Sequence, residues 1–154
     1  MNALLFRTGV AVLWLAVALA TSASLLLYVF TPGAVEELVA GEMEGETLTD
    51  GLTFFLAAVG SIPAVMAVVA VLVSDRVNPW VNLIGGLVYG LFGGFAVVGH
   101  IVDGSFNVHV SMMAVAGAGA FLIAGLSLAG LRRPTSEAAA PASEQTRPGE
   151  RASV

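Results

Sequence analysis

Two histidines nine positions apart, His100 and His109, with Asp103 between them, are the residues best suited to chemistry in this chain of 154. Imidazole nitrogens and carboxylate oxygens suit a borderline divalent ion such as Zn²⁺, and two or three of them at one depth make the smallest useful site. His100 and Asp103 are three apart, so they share a face if the helix carrying them continues through Asp103. The link from Asp103 to Asn107 is only five residues long, which returns His109 to the same depth. Glu36 and Glu37, upstream, are placed to fold over them. The plain reading, which comes first, is two histidines solvated at the wet interface. The second makes His100, Asp103 and His109 the candidate ligands of a metal ion or a proton, with haem a remoter use of the same imidazoles. Cysteine is absent, and so are phosphate loops, nucleophile elbows and the metalloprotease helix motif. No cofactor and no catalytic residue is expected.

The elements that must hold these residues follow from composition. Apolar types make up 57% of the chain before its 18 glycines are added, and charged types only 11%, against about 25% in an average soluble domain. Such a chain cannot cover a water-facing surface, which excludes an ordinary soluble enzyme or a nucleic-acid binder. Four runs hold no Asp, Glu, Lys or Arg: 8–30, 52–73, 80–102 and 108–131. Each is long enough as a helix to cross a hydrocarbon core of about 30 Å. A β-barrel would need alternating segments of about ten residues, which are missing. The expected fold is all-α, a membrane-embedded four-helix bundle over residues 1–133, with a disordered cytoplasmic tail over 134–154.

Charge orients the bundle. Arg7, Arg76, Arg132 and Arg133 fall on one side of the four spans, and the chain has no lysine. The positive-inside rule makes that side cytoplasmic, so both termini lie inside a prokaryotic inner membrane. The outer side then receives Glu36, Glu37, Glu42, Glu44, Glu46, Asp50 and Asp103 without a base. Arg7 followed by an apolar stretch with Ala18, Ala20 and Ala23 imitates a cleavable signal. Cleavage would expose Leu25 to Phe30 as an apolar terminus, so the first helix is read as an uncleaved span.

Short links make the second, third and fourth spans antiparallel neighbours. The longer outer link, 31–51, reads as a short interfacial helix started by Thr31-Pro32 and stopped near Gly41, then a solvated loop from Glu42 to Asp50. In the third span Asn82, Gly86, Gly90 and Gly94 recur every four residues after Asn78, with Gly85 and Gly93 beside them, a face for close backbone approach. Matching stripes are Ala16, Ala20 and Ser24; Gly60 and Ala64; and Ala116, Ala120 and Ala124 with Gly117. Packing within the chain is the first use of the glycine face, and a homodimer or another membrane protein partner the competing one. Pro63 should kink the second span, with Ser61 satisfying a freed carbonyl. Trp14 and Tyr89 lie deep, and Tyr89 should hydrogen-bond to a neighbour.

The stretch Arg76-Val77-Asn78-Pro79-Trp80-Val81-Asn82-Leu83-Ile84, with Pro32-Gly33, Glu36-Glu37-Leu38 and Ile62-Pro63-Ala64-Val65-Met66 upstream, resembles a family of small four-helix prokaryotic membrane proteins classed as a domain of unknown function. The resemblance covers about residues 5–131. In that family an Arg often stands at the position of Pro79 and an acidic residue at that of Ser61, so this chain lacks the one carboxylate inside a span that would suggest proton coupling. The resemblance implies fold and topology and no activity. The functional expectation is a compact, non-catalytic scaffold or partner-binding subunit in the lipid bilayer. The alternative is a small transporter, or a metal- or proton-handling protein using the outer His/Asp cluster.

Overall fold

A computed structural model describes residues 3–132. They are all-helical but for one tiny hairpin, and four helices are long and apolar enough to cross a membrane: α1 (Ala3–Tyr28), α3 (Asp50–Leu72), α4 (Asn78–Val102) and α5 (Val108–Leu131). The short α2 (Ala34–Ala40) and the strands β1 (Glu42–Met43) and β2 (Glu46–Thr47) fill the link between α1 and α3. The tail expected at 134–154 lies outside the described residues.

Helix ends move where polar groups find partners. α1 takes in Arg7, because the guanidinium reaches across to α3 and its exit, with Nε 2.7 Å from Asp75 Oδ1 and Nη1 3.2 Å from the Val71 carbonyl. α3 begins at Asp50 because the Thr49 hydroxyl caps it, accepting from the Leu52 N–H at 3.1 Å. Asn107 does the same for α5, accepting from the Val110 N–H at 3.3 Å. α2 starts later than Thr31-Pro32 suggests. Gly33, with φ 87°, is its N-cap and supplies no side-chain bond, while Gly41, with φ 78°, ends it as expected.

The packing order corrects the expectation drawn from loop length. α1 lies against both α3 and α5, and α5 lies against α4, whereas α3 and α4 touch sparsely despite their short link. The reason is bulk and its absence. α1 presents Val10, Trp14, Val17, Thr21, Ser24 and Tyr28, all buried and spaced three or four apart, and fills the centre. The glycine face of α4 is used by α5: a methyl on Gly86 would lie 2.6 Å from the Ala120 carbonyl oxygen, and one on Gly90 3.0 Å from the Phe121 ring. Ala116, Ala120 and Ala124 are buried on the facing side of α5. Three small residues depart from the expected stripes. Gly94 meets nothing within 4 Å, and Ala16 and Ala64 are exposed.

Polar side chains tie the helices at two depths. Nearer the Arg7 end, Trp14 donates its indole N–H to Asn82 Oδ1 at 2.7 Å, Asn82 donates to Asn78 Oδ1 at 2.7 Å, and Asn78 donates to the Ala70 carbonyl. Further along, the Tyr89 and Thr21 hydroxyls are 2.8 Å apart. Pro63 removes the N–H that would serve the Val59 carbonyl, and α3 continues through it. The donor to that carbonyl is the Tyr89 hydroxyl at 3.4 Å, while Ser61, expected to fill that role, donates to Ala57 at 2.6 Å.

Candidate metal centre

The outer link delivers the residue that completes the site. Glu44 and Gly45 both take positive φ, 54° and 78°, and join β1 to β2 in a two-residue turn. That geometry matches the right-handed twist of a hairpin but is uncommon for a residue with a side chain. What holds Glu44 there is its backbone N–H, which donates to the Tyr28 hydroxyl at 3.0 Å and to Glu37 Oε2 at 3.0 Å. Tyr28 in turn donates to Glu37 Oε2 at 2.7 Å. The end of α1, the middle of α2 and the hairpin are thus tied at one point, and the Glu44 carboxylate is turned toward α4 and α5.

There it meets both histidines. Glu44 Oε1 is 3.1 Å from His109 Nε2 and 3.6 Å from His100 Nε2. The two imidazoles stand edge to face with ring centres 5.4 Å apart, and Tyr28 stands edge to face on His109 at 5.5 Å. One ligand atom from each of Glu44, His100 and His109 lies within 4.8 Å of the others. Tetrahedral ligands on bonds of about 2.0–2.2 Å are separated by about 3.3 Å. The Glu44–His109 and Glu44–His100 separations lie within a few tenths of an ångström of that spacing.

Of the three expected ligands, the structure brings His100 and His109 together and leaves Asp103 out. α4 ends at Val102, Asp103 is its exposed C-cap, and Gly104 at φ 68° turns the chain so that Ser105 folds back on His100. Ser105 accordingly occupies the place beside His100 expected for Asp103. Asp103 still borders the hollow above the centre, as does Glu37, whose carboxylate serves Tyr28 and the Glu44 N–H. Glu44 falls in the stretch that hydropathy reads as a solvated loop. The signal for it is a Glu-Gly pair between Glu42-Met43 and Glu46-Thr47, the spacing of a two-residue hairpin.

The tautomer of His100 bears on what sits between these groups. The Ser105 hydroxyl lies 3.0 Å from His100 Nδ1 and 3.3 Å from the His100 carbonyl oxygen. A hydroxyl has one proton: donated to the carbonyl, it leaves Nδ1–H to donate to Ser105 Oγ and the lone pair on Nε2, free for a metal; donated to Nδ1, it puts the ring proton on Nε2, facing the Glu44 carboxylate. His109 is held from behind, its backbone carbonyl accepting from Ser24 Oγ at 2.8 Å, and its side chain is only 6% exposed.

No family model, curated protein or solved structure matches the chain.

Proposed function

We propose that this chain is a multi-pass membrane protein, with both termini inside, that binds a divalent metal ion at its outer face through Glu44, His100 and His109. The observation that carries this reading is the convergence of one carboxylate oxygen and two imidazole nitrogens, brought from three separate elements to within 4.8 Å. Two nitrogens and one oxygen are a donor set suited to Zn²⁺, with a fourth position left for water or another ligand. Loaded, the ion would fasten the hairpin onto α4 and α5. The four runs 8–30, 52–73, 80–102 and 108–131 carry no Asp, Glu, Lys or Arg, which favours a site that holds an ion over a path that conducts one. The protein is accordingly a binding or scaffold subunit and not an enzyme. We also place it with the small four-helix membrane proteins that the stretch from Arg76 to Ile84 resembles.

Purified without a histidine tag, the protein should take up about one equivalent of Zn²⁺ by calorimetry. His100→Ala, His109→Ala and Glu44→Gln should each weaken binding tenfold or more, and Asp103→Asn should leave it unchanged. Binding should weaken as pH falls, because protons compete with the metal for imidazole nitrogens. Absence of binding by the parent protein would leave only the scaffold. Topology has its own test, motivated by the one-sided arginines. A reporter inserted near Gly45 should read outside and one after Val154 inside, and the reverse would defeat the orientation.

A further inference from the structure

Two hollows meet at the hairpin end of the bundle. One is a polar depression of about 350 Å³ bordered by His100, Asp103, Ser105 and Asn107. The other is a cavity of about 130 Å³ among the four long helices, with Leu25, Leu56, Val59, Phe92 and Met113 in its wall. Tyr28, Glu44 and His109 belong to both. An apolar cavity of about 150 Å³ stays dry and takes up benzene, so the inner one is sized for a body of about six carbons.

The inner cavity has an entrance and a polar end. α3 and α4 touch sparsely. On their seam Phe55 and Phe92 meet edge to face at 5.9 Å, and they are 47% and 42% exposed. This thinly packed seam is where a guest dissolved in lipid would enter. At the other end His109 Nδ1 is buried without a partner, which costs about 1–3 kcal/mol if nothing satisfies it. With Nε2–H donated to Glu44, Nδ1 needs a donor; with Nε2 on a metal, Nδ1–H needs an acceptor. A hydroxyl is both. Glu37, Glu44 and Asp103 around the rim disfavour an anionic head.

We propose that this cavity binds a membrane-dissolved lipophile with a hydroxyl head, its apolar body among Leu56, Val59, Phe92 and Met113 and its hydroxyl on His109 Nδ1. The proposal goes beyond metal binding and does not depend on it. The test uses protein carrying ¹³C-methyl methionine, stripped of metal with EDTA, in deuterated lipid nanodiscs. Met43 and Met113 line the cavity, and Met66, which reaches toward Gly85 and Trp14, does not. Titration with 1-hexanol should shift the Met43 and Met113 methyls saturably and leave Met66 still. Hexane and hexanoate should bind at least tenfold more weakly. Gly60→Leu, whose new side chain starts 3.8 Å from Leu25 Cδ1 inside the cavity wall, should abolish the hexanol shifts while Zn²⁺ binding persists. His109→Phe keeps a ring against Tyr28 and should reduce hexanol to the affinity of hexane. Equal affinity for hexane and hexanol in the parent protein would overturn the proposal, leaving a gap that any lipid chain fills. Shifts that spread to Met66, or none at all, would overturn it too.

Discussion

The two ends of the bundle are built on opposite terms. Toward the Arg7 end, backbones touch at Gly86 and Ala120, and Trp14, Asn82 and Asn78 form a chain of hydrogen bonds ending on the Ala70 carbonyl. Toward the hairpin end, a cavity separates the helices, a carboxylate faces two imidazoles, and a buried ring nitrogen has no partner. A helix bundle in lipid gains little from apolar attraction between helices, so it is held by close packing and satisfied polar groups. The first end supplies that holding, with Ser127 Oγ as its one exception among the described residues. The difference teaches where stability resides and where there is room for a ligand.

The sharpest way to break the comparison is Gly86→Leu. Even a methyl there falls 2.6 Å from the Ala120 carbonyl oxygen and 3.0 Å from the Ala124 nitrogen, and backbone cannot swing aside as a side chain does. The substitution should cost about 3 kcal/mol or more and lower the yield of folded protein. Thermal unfolding in detergent checks it. A melting temperature equal to that of the parent would mean that α4 and α5 do not meet as described.

Asn82→Leu should come next. It strips the Trp14 indole of its acceptor and Asn78 Oδ1 of its donor, and a buried group left unpaired costs about 1–3 kcal/mol. Asn82→Gln, which keeps an amide but shifts it, should recover part of that loss. At the other end His109→Phe keeps the ring and removes both the unpartnered Nδ1 and the Nε2 contact to Glu44; relief of the first offsets loss of the second, so without metal it should change stability by less than about 1 kcal/mol. If His109→Phe proved as costly as Asn82→Leu, both ends would be structural and the contrast would fail.

The same contrast describes what is legible in the amino-acid sequence. Hydropathy marks the four long helices, and α5 has the bounds its uncharged run predicts, because length and polarity are local properties of the chain. Trp14 and Asn82 are readable as deep residues, but their pairing across 68 positions is not. Loop length misleads about α3 and α4, since a short link constrains only one end of each helix. The centre is half legible. Types and spacing identify His100 and His109. Glu44 depends on a non-glycine residue in left-handed backbone, held by Tyr28 and Glu37 from other elements, which no local pattern states.

Gly94 carries the smallest expected effect and the finest test. Residues spaced by four advance about 40° around a helix at each step, so the row from Asn82 through Gly86 and Gly90 reaches the edge of the α5 contact at Gly94, whose backbone nitrogen still lies beside Gly117 while its Cβ direction is open. Gly93, three after Gly90, swings back and takes the contact, 3.4 Å from Gly117 Cα for an added methyl, while one on Gly94 meets nothing within 4 Å. Gly94→Leu should therefore leave the monomer within about 1 kcal/mol of the parent, with improved helix propensity offsetting any new exposure. Gly86→Leu, two turns away, should be severe, and a single helix would then show both behaviours. Native mass measurement supplies the second readout. The mass of the folded species should be the same for Gly94→Leu as for the parent, because a side chain at Gly94 meets open space. A parent dimer that Gly94→Leu converts to monomer would show that this face pairs two copies, and the far end of the glycine row would then serve an intermolecular contact.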